Sequence, residues 1–436
     1  MTDVIIYSCI YVGVLILLML AGLHIAVVMF LIGVVSGLIF LGPNLVLSFG
    51  ELAWTTSNSF ILVAVPLFIL LGEILLRSGI SDRMYNAFAV WLNRVPGGLL
   101  HTNIASCAMF AATSGSTIAT AATIGTVALP AFETRRYNEP LVLGSLAAGG
   151  TLGILIPPSI NMVIYGAMTD TSIGQLFVAG IVPGVVLALM FMGLILGAAL
   201  IWPSIEGARE PVTPVRVKLR TLVDLIPPAS IFVVIMGSLY TGLATATEAA
   251  ALGVVAALFL AAINGRLSIV MLHTAFKSTV RTTSMVMLII LGAFFLNFVL
   301  SLVGIPQAIS NWVKGLGVSA MTTLWVLLIM YAILGCFMES LSMMITTIPI
   351  VTPLVVALGV DPVWFGIFLI VLTELALITP PVGMNLFVIQ GIRPPGRNQN
   401  DVIIGALPFA AVMLVMIVVL MYFPDIALWL PRKLYQ

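Results

Sequence analysis

The chain has 436 residues, 61% of them hydrophobic and 8% charged, with a mean hydropathy of +1.23. That balance leaves too little polar surface to cover a soluble globule of this size, so lipid must be the solvent for most of it. The formal net charge of +1 contains no basic run of the kind that binds nucleic acid, and Cys9, Cys107 and Cys336 lie singly in apolar stretches, which excludes a disulfide framework or a thiolate metal site.

Residues 4–22 form the first apolar run; no Lys or Arg precedes it and no cleavage pattern follows, so it reads as a retained span rather than a signal peptide. Further runs long enough to cross about 30 Å of hydrocarbon as helices lie near 24–41, 60–76, 140–169 and 177–201. Two shorter stretches, 98–112 and 117–132, are interrupted by Thr113-Ser114-Gly115-Ser116. Arms of about 15 residues suit a re-entrant hairpin, here over 98–133, that dips into the bilayer and returns. A polar linker, 202–221, then precedes a second series near 222–243, 247–264, 283–302, 363–392 and 401–423. Its own short arms span 321–356, interrupted by Cys336-Phe337-Met338-Glu339-Ser340.

Displacing the first series by about 223 residues reproduces the second, which is the mark of an internal repeat. At that displacement Pro130 falls on Pro353 and Pro157-Pro158 falls on Pro380-Pro381. The expected fold is therefore an all-α polytopic membrane protein of two repeats, 1–201 and 222–436, each with five crossings and one hairpin. Because five is odd, the second repeat should be inverted. The basic residues agree: Arg77, Arg83, Arg94, Arg135 and Arg136 flank the first hairpin while 42–59 and 170–176 have none, and Arg266, Lys277, Arg281, Arg393 and Arg397 reverse that pattern in the second half. With the N-terminus periplasmic and the linker cytoplasmic, 14 of 17 basic residues are cytoplasmic; only Lys314, Arg432 and Lys433 are not.

Inverted repeats place a binding site near the midplane, where polar groups are needed at depth. The span 140–169 is broken by Gly149-Gly150-Thr151-Leu152-Gly153 and then Pro157-Pro158-Ser159, and 363–392 by Thr379-Pro380-Pro381-Val382-Gly383-Met384-Asn385. Neither sequence sustains an unbroken backbone ladder. Hairpin tips beside these breaks would complete two cradles of neutral oxygens suited to sodium. The first takes Ser114, Gly115, Ser116, Gly150, Gly153 and Pro157; the second takes Glu339, Ser340, Thr373, Thr379 and Pro380. Helix N-termini at the same breaks suit a carboxylate, which makes Thr117, Ser159, Asn161 and Asn385 the substrate-facing candidates. Glu339 and Glu374 both lie at membrane depth, where an ionisable group is costly. Glu73 reads as a helix-end partner of Arg77, and Glu248 as a helix N-terminal acid.

These motifs, with Thr247-Glu248-Ala249-Ala250 and Phe337-Met338-Glu339-Ser340, resemble the large membrane subunit of tripartite ATP-independent periplasmic (TRAP) transporters over essentially the whole chain. Asn161 and Glu339 depart from that pattern, where an apolar residue and Asp are usual. The resemblance implies an elevator mechanism with sodium symport of an organic acid in the inner membrane, a small four-helix membrane subunit, and a periplasmic substrate-binding protein. It implies no cofactor beyond sodium as the coupling ion. No GxxxxGK[ST] motif is present, so the energy source is a gradient. Moving a charge through the potential is worth about 2.3 kcal/mol per 100 mV, so a dianion entering a negative interior needs compensating cations. Three alternatives remain: a stand-alone ion-coupled anion carrier, an intramembrane hydrolase using Ser114 or Ser116 with His101, and a channel, against which paired hairpins predict slow, saturable flux.

Overall fold

The computed structural model describes residues 10–435 except 12, 16, 20, 44 and 208–212, so the expected first span at 4–22 falls partly outside the described residues. Every regular element among the described residues is helical. Helices α1 (Ile25–Phe40), α2 (Leu45–Ser57), α3 (Ala64–Arg77) and α4 (Ile80–Leu92) lead to the first hairpin, whose arms are α5 (Leu99–Ser114) and α6 (Thr117–Glu133). The broken helix follows as α7 (Glu139–Leu155) and α8 (Ile160–Thr169), then α9 (Ile173–Ile201). After α10 (Val215–Thr221) come α11 (Ile226–Tyr240), α12 (Ala246–Ile263), α13 (Ile269–Val303) and α14 (Ile305–Gly315). The second hairpin is α15 (Ala320–Gly335) and α16 (Ser340–Ala357), the second broken helix α17 (Pro362–Ile378) and α18 (Met384–Gly391), and the chain closes with α19 (Asn400–Tyr422) and α20 (Asp425–Tyr435). Thr117 and Ser340 begin corresponding elements, as do Glu139 and Pro362, and both pairs stand at the offset that superimposes the proline pairs.

By length and apolarity, seven helices among the described residues can cross a membrane, or eight if the pair Ser48–Ser57 and Ile61–Arg77, bent by 58°, is one span. Five crossings per half is a larger count because it includes shorter helices; α1 has 16 residues and α17 has 17.

Three elements differ from the sequence reading. The segment 42–59, expected as a bare connection, contains α2, because Phe49 packs edge-on against Phe30 and Phe295 with ring centroids 4.9 and 5.1 Å apart. Helix α13 starts at Ile269 rather than near 283: the Ser268 side chain accepts from the Met271 amide at 3.1 Å, and no Gly or Pro interrupts the chain before Gly292. The end of the linker 202–221 is the helix α10.

The two broken helices lie at the centre. Val142 to Leu155 in α7 and Val363 to Ile378 in α17 are continuously buried, as helices that are apolar all round must be. Burial covers 83% of the apolar window of Glu139–Thr169 but 33% of that of α9, which therefore gives much of its surface to lipid. Close approach comes from small residues, as expected where lipid removes any hydrophobic drive for helix pairing. A Cβ added to Gly144 of α7 would sit 1.8 Å from the Gly405 carbonyl oxygen of α19, and one added to Gly405 would sit 1.7 Å from that of Pro140.

Polar contacts gather at two opposite ends of the bundle. At one, Arg83 bonds Asp224 at 2.6 Å and Asn264 at 3.0 Å, the Gly97 amide donates to Glu206 at 2.7 Å, and Arg393 joins Glu139 at 2.7 Å to Asp401 at 3.3 Å. At the other, the Thr247 hydroxyl donates to the Phe60 carbonyl at 2.9 Å and the Tyr165 hydroxyl to that of Pro362 at 2.7 Å. Other basic residues join the same contacts: Arg77 bonds Ser278 at 3.3 Å, Arg266 lies beside Gly79, Lys218 lies over the Trp91 ring, Arg135 lies beside Gly207 and Arg397 reaches Glu139, all in segments that the charge pattern groups on one side.

Gly144→Leu should destabilise the protein by at least about 2 kcal/mol through overpacking, read as a fall in melting temperature in detergent. Gly197→Ala, inside α9 with nothing within 4 Å of its added Cβ, should leave the melting temperature no lower.

Candidate functional site

Helix α5 ends at Gly115, whose φ of +62° turns the chain, and α6 begins at Ser116, which caps it by accepting from the Ala119 amide at 3.4 Å. The Thr120 hydroxyl donates to the Ser116 carbonyl at 2.7 Å and lies 3.0 Å from the Ser114 hydroxyl, so the tip is tied by its own oxygens. In the second hairpin Glu339 takes the place of Ser116, at the same offset as the other repeated positions. Its carboxylate caps α16 by accepting from the Ser342 amide at 3.1 Å and hydroxyl at 3.2 Å. That acid sits where a helix N-terminus favours negative charge.

Each tip meets a break. A Cβ on Gly115 would lie 2.8 Å from the Pro158 carbonyl oxygen, and one on Gly153 would lie 2.6 Å from that of Ser116. Only glycine allows both approaches. Gly150 faces Ala121 and the Asn385 amide nitrogen, at 2.7 and 3.1 Å from an added Cβ. In the second half the Cys336 thiol lies 3.4 Å from the Pro380 carbonyl oxygen, and a Cβ on Gly335 would meet that of Ala376 at 2.3 Å. The Pro157-Pro158 and Pro380-Pro381 bonds are both cis. The Ser159 side chain caps α8, accepting from Met162 at 3.4 Å.

Of the first cluster anticipated from sequence, Gly115, Ser116 and Gly153 lie at the contact of tip and break and Ser114 is tied to the tip through Thr120, whereas Gly150 faces Ala121 and Asn385. The second divides: Glu339 and Ser340 line a small cavity with Ser116, Thr117 and Asn161, whereas Thr373, Thr379 and Pro380 lie outside it. Thr373 and Thr379 donate to the carbonyls of Ile370 and Leu375 at 2.8 and 2.6 Å. Asn385 does not line the cavity either; it crosses between the halves and donates to the Ala147 carbonyl at 2.9 Å. Asn161 is 2% exposed and its amide nitrogen has no partner.

The cavity measures about 50 Å³ and is floored by Ile154 and Leu377. It has room for a few waters, far less than the roughly 300–1,000 Å³ of an ordinary ligand pocket. Three helix N-termini, those of α6, α8 and α16, open onto it, and Glu339 is its charged group. Glu374 lies one turn from Leu377, wholly buried; neither carboxyl oxygen has a hydrogen-bond partner, and the Leu155 backbone lies close by outside bonding geometry. Thr120 and the apolar floor escaped the sequence reading, although Thr120 stands four residues after Ser116, where a hydroxyl reaches back to a helix carbonyl. His101 bonds the Pro96 carbonyl at 2.7 Å, at the far end of α5 from Ser114, so no Ser–His pair forms.

Residues 12–426 match the family described as tripartite ATP-independent periplasmic transporter, DctM component. The chain belongs to this family. It is 36% identical over 397 residues to the C4-dicarboxylate TRAP transporter large permease protein DctM of Pseudomonas aeruginosa, covering 90% of this chain and 91% of the relative. To the sialic acid TRAP transporter large permease protein SiaM of Vibrio cholerae it is 30% identical, covering 86% and 87%. Among solved structures the Alcanivorax borkumensis YdaH transporter superimposes with a TM-score of 0.58 at 15% identity over 91% of this chain and 90% of that one, a likeness of fold. The chain is thus a multi-pass membrane protein of a transporter family.

Because a buried ionisable group without a partner is costly, Glu374→Met should raise the melting temperature, by an amount equivalent to about 1–3 kcal/mol. A lower melting temperature would show that the carboxyl holds a stabilising partner.

Proposed function

We propose that this chain is the large permease subunit of a sodium-coupled symporter that imports an organic acid across the bacterial inner membrane. A periplasmic binding protein delivers the acid, and a small four-helix membrane subunit stands beside the permease. The observation that carries this reading is the small cavity between the two hairpin tips, bounded by Ser116 and Thr117 on one side and Glu339 and Ser340 on the other. Convergent helix N-termini suit a carboxylate, and the relatives named above handle a C4-dicarboxylate and a sialic acid, both carboxylates. Hydroxyl oxygens with committed protons, at Thr373 and Thr379 beside the second break and at Thr120 in the first tip, suit a sodium ion.

The cavity is too small for an organic acid, so a tip must lift for substrate to enter. Both tips are packed on the broken helices, which favours their travel as one body, the elevator movement, between two inversely oriented repeats. The constant spacing between corresponding helix starts supports that repeat. The N-terminus is placed in the periplasm because the basic end of the bundle then faces the cytoplasm.

Uptake of a labelled C4-dicarboxylate or sialic acid into proteoliposomes should require both a sodium gradient and the cognate binding protein. Uptake without any binding protein would mark a self-sufficient carrier instead. Ser114→Ala should raise the sodium concentration for half-maximal uptake about tenfold, the ratio equivalent to 1.4 kcal/mol, while the melting temperature stays put; unchanged sodium activation would remove Ser114 from the site. In a cysteine-free background, a membrane-impermeant thiol reagent added outside the cell should label a cysteine at Asp361 and spare one at Arg135. Labelling of both from one side would be incompatible with inverted repeats.

A further inference from the structure

At the basic end of the bundle a second cavity, of about 450 Å³, lies away from the hairpin tips between the end of α6, the start of α7 and the segment after α18. Arg136, Arg393 and Arg397 line it, against one acid, Glu139. Its wall is apolar, formed by Leu129, Phe132, Val142 and Leu143. The three arginines are not equivalent. Arg393 has a side chain only 2% exposed and is fully engaged with Glu139, Asp401, Gln390 and the Asn398 carbonyl, so it braces the cavity. Arg397 is 55% exposed and reaches Glu139 only at 3.7 Å. Arg136 is exposed, takes part in no ion pair among those described, and is held at a φ of +55°, a backbone region that side chains other than those of Gly and Asn rarely adopt.

Charge sorting across the membrane accounts for basic residues at this end but not for their convergence on one cavity with an apolar wall. Guanidinium groups match phosphate oxygens in geometry and charge, and basic pockets between membrane helices take phospholipid head groups. A soluble anion would have no use for the apolar surface that Leu129 and the edge of Phe132 leave open beside the arginines. We propose that this cavity holds an anionic phospholipid, its phosphate between Arg136 and Arg397 and the upper part of an acyl chain along the partly exposed Leu129 and the edge of Phe132.

The occupied cavity would join the first hairpin, through α6, to the segment that follows the second broken helix. Lipid there would therefore stabilise the assembled site without touching substrate, and this holds whether or not transport is sodium-coupled.

Full-length protein in detergent, titrated with phosphatidylglycerol, should melt several degrees higher than with an equal amount of phosphatidylcholine, while inorganic phosphate and succinate should give no shift. The double variant Arg136→Gln/Arg397→Gln leaves the Arg393 network in place, and it should need at least about tenfold more phosphatidylglycerol for the same shift, equivalent to 1.4 kcal/mol. An equal response in the double variant, or an equal response to phosphatidylcholine, overturns the proposal. A full shift with phosphate or succinate alone also overturns it, in favour of a soluble-anion site. Native mass spectrometry gives a readout independent of melting: wild type should retain phosphatidylglycerol through detergent removal and the double variant should not, and wild type released bare would sink the assignment.

Discussion

A bilayer offers no water to an interrupted backbone, and every break in a helix at depth must find its hydrogen-bond partners within the protein. Four breaks in this chain answer to that constraint: Gly115-Ser116, Ile156 to Ser159, Cys336 to Glu339, and Thr379 to Gly383. The helices leaving the first three are capped by side chains of Ser116, Ser159 and Glu339, whereas α18, entered through Gly383 at a φ of +44°, has no side-chain cap. Hairpin tips and broken helices cover one another, so none of the four could exist alone in lipid. The small cavity is what remains where the coverings meet.

The rest of the architecture keeps those breaks buried. Helices α7 and α17 have no polar face to offer a membrane or a solvent, and the surrounding helices approach them most closely at glycines such as Gly144, Gly335 and Gly405. Most of the charge lies outside the apolar centre, and at the basic end Arg83, Arg393 and their acids bind successive segments together. Two acids are the exceptions: Glu339 at the small cavity, and Glu374, a carboxyl left among apolar neighbours in the second broken helix.

Much of this was legible in the sequence because it depends on backbone chemistry. Proline pairs and glycine clusters mark positions where a ladder cannot continue, and the regular recurrence of Pro130, Pro157 and Pro158 at Pro353, Pro380 and Pro381 located both breaks without any knowledge of packing. What side chains do across the repeat was not legible. Asn385 stands just past its prolines as a substrate ligand would, yet it bonds Ala147 in the other half, a distance of 238 residues along the chain. Glu339 and Ser340 belong with Thr117 and Asn161 because the two tips approach each other, which no local pattern encodes. Helix α2 was hidden for a similar reason: its apolar partner, Phe295, lies far along the chain.

The meeting of Gly144 and Gly405 limits which pieces of the molecule can slide. Backbone lies directly on backbone there, with Pro140 completing the contact, and no side chain stands between α7 and α19 to act as a bearing. Two helices seated so closely cannot shear past each other without lifting apart first. Whatever excursion the central breaks make, α19 makes it too. In the elevator movement proposed above, the boundary between travelling and stationary parts would therefore run outside α19.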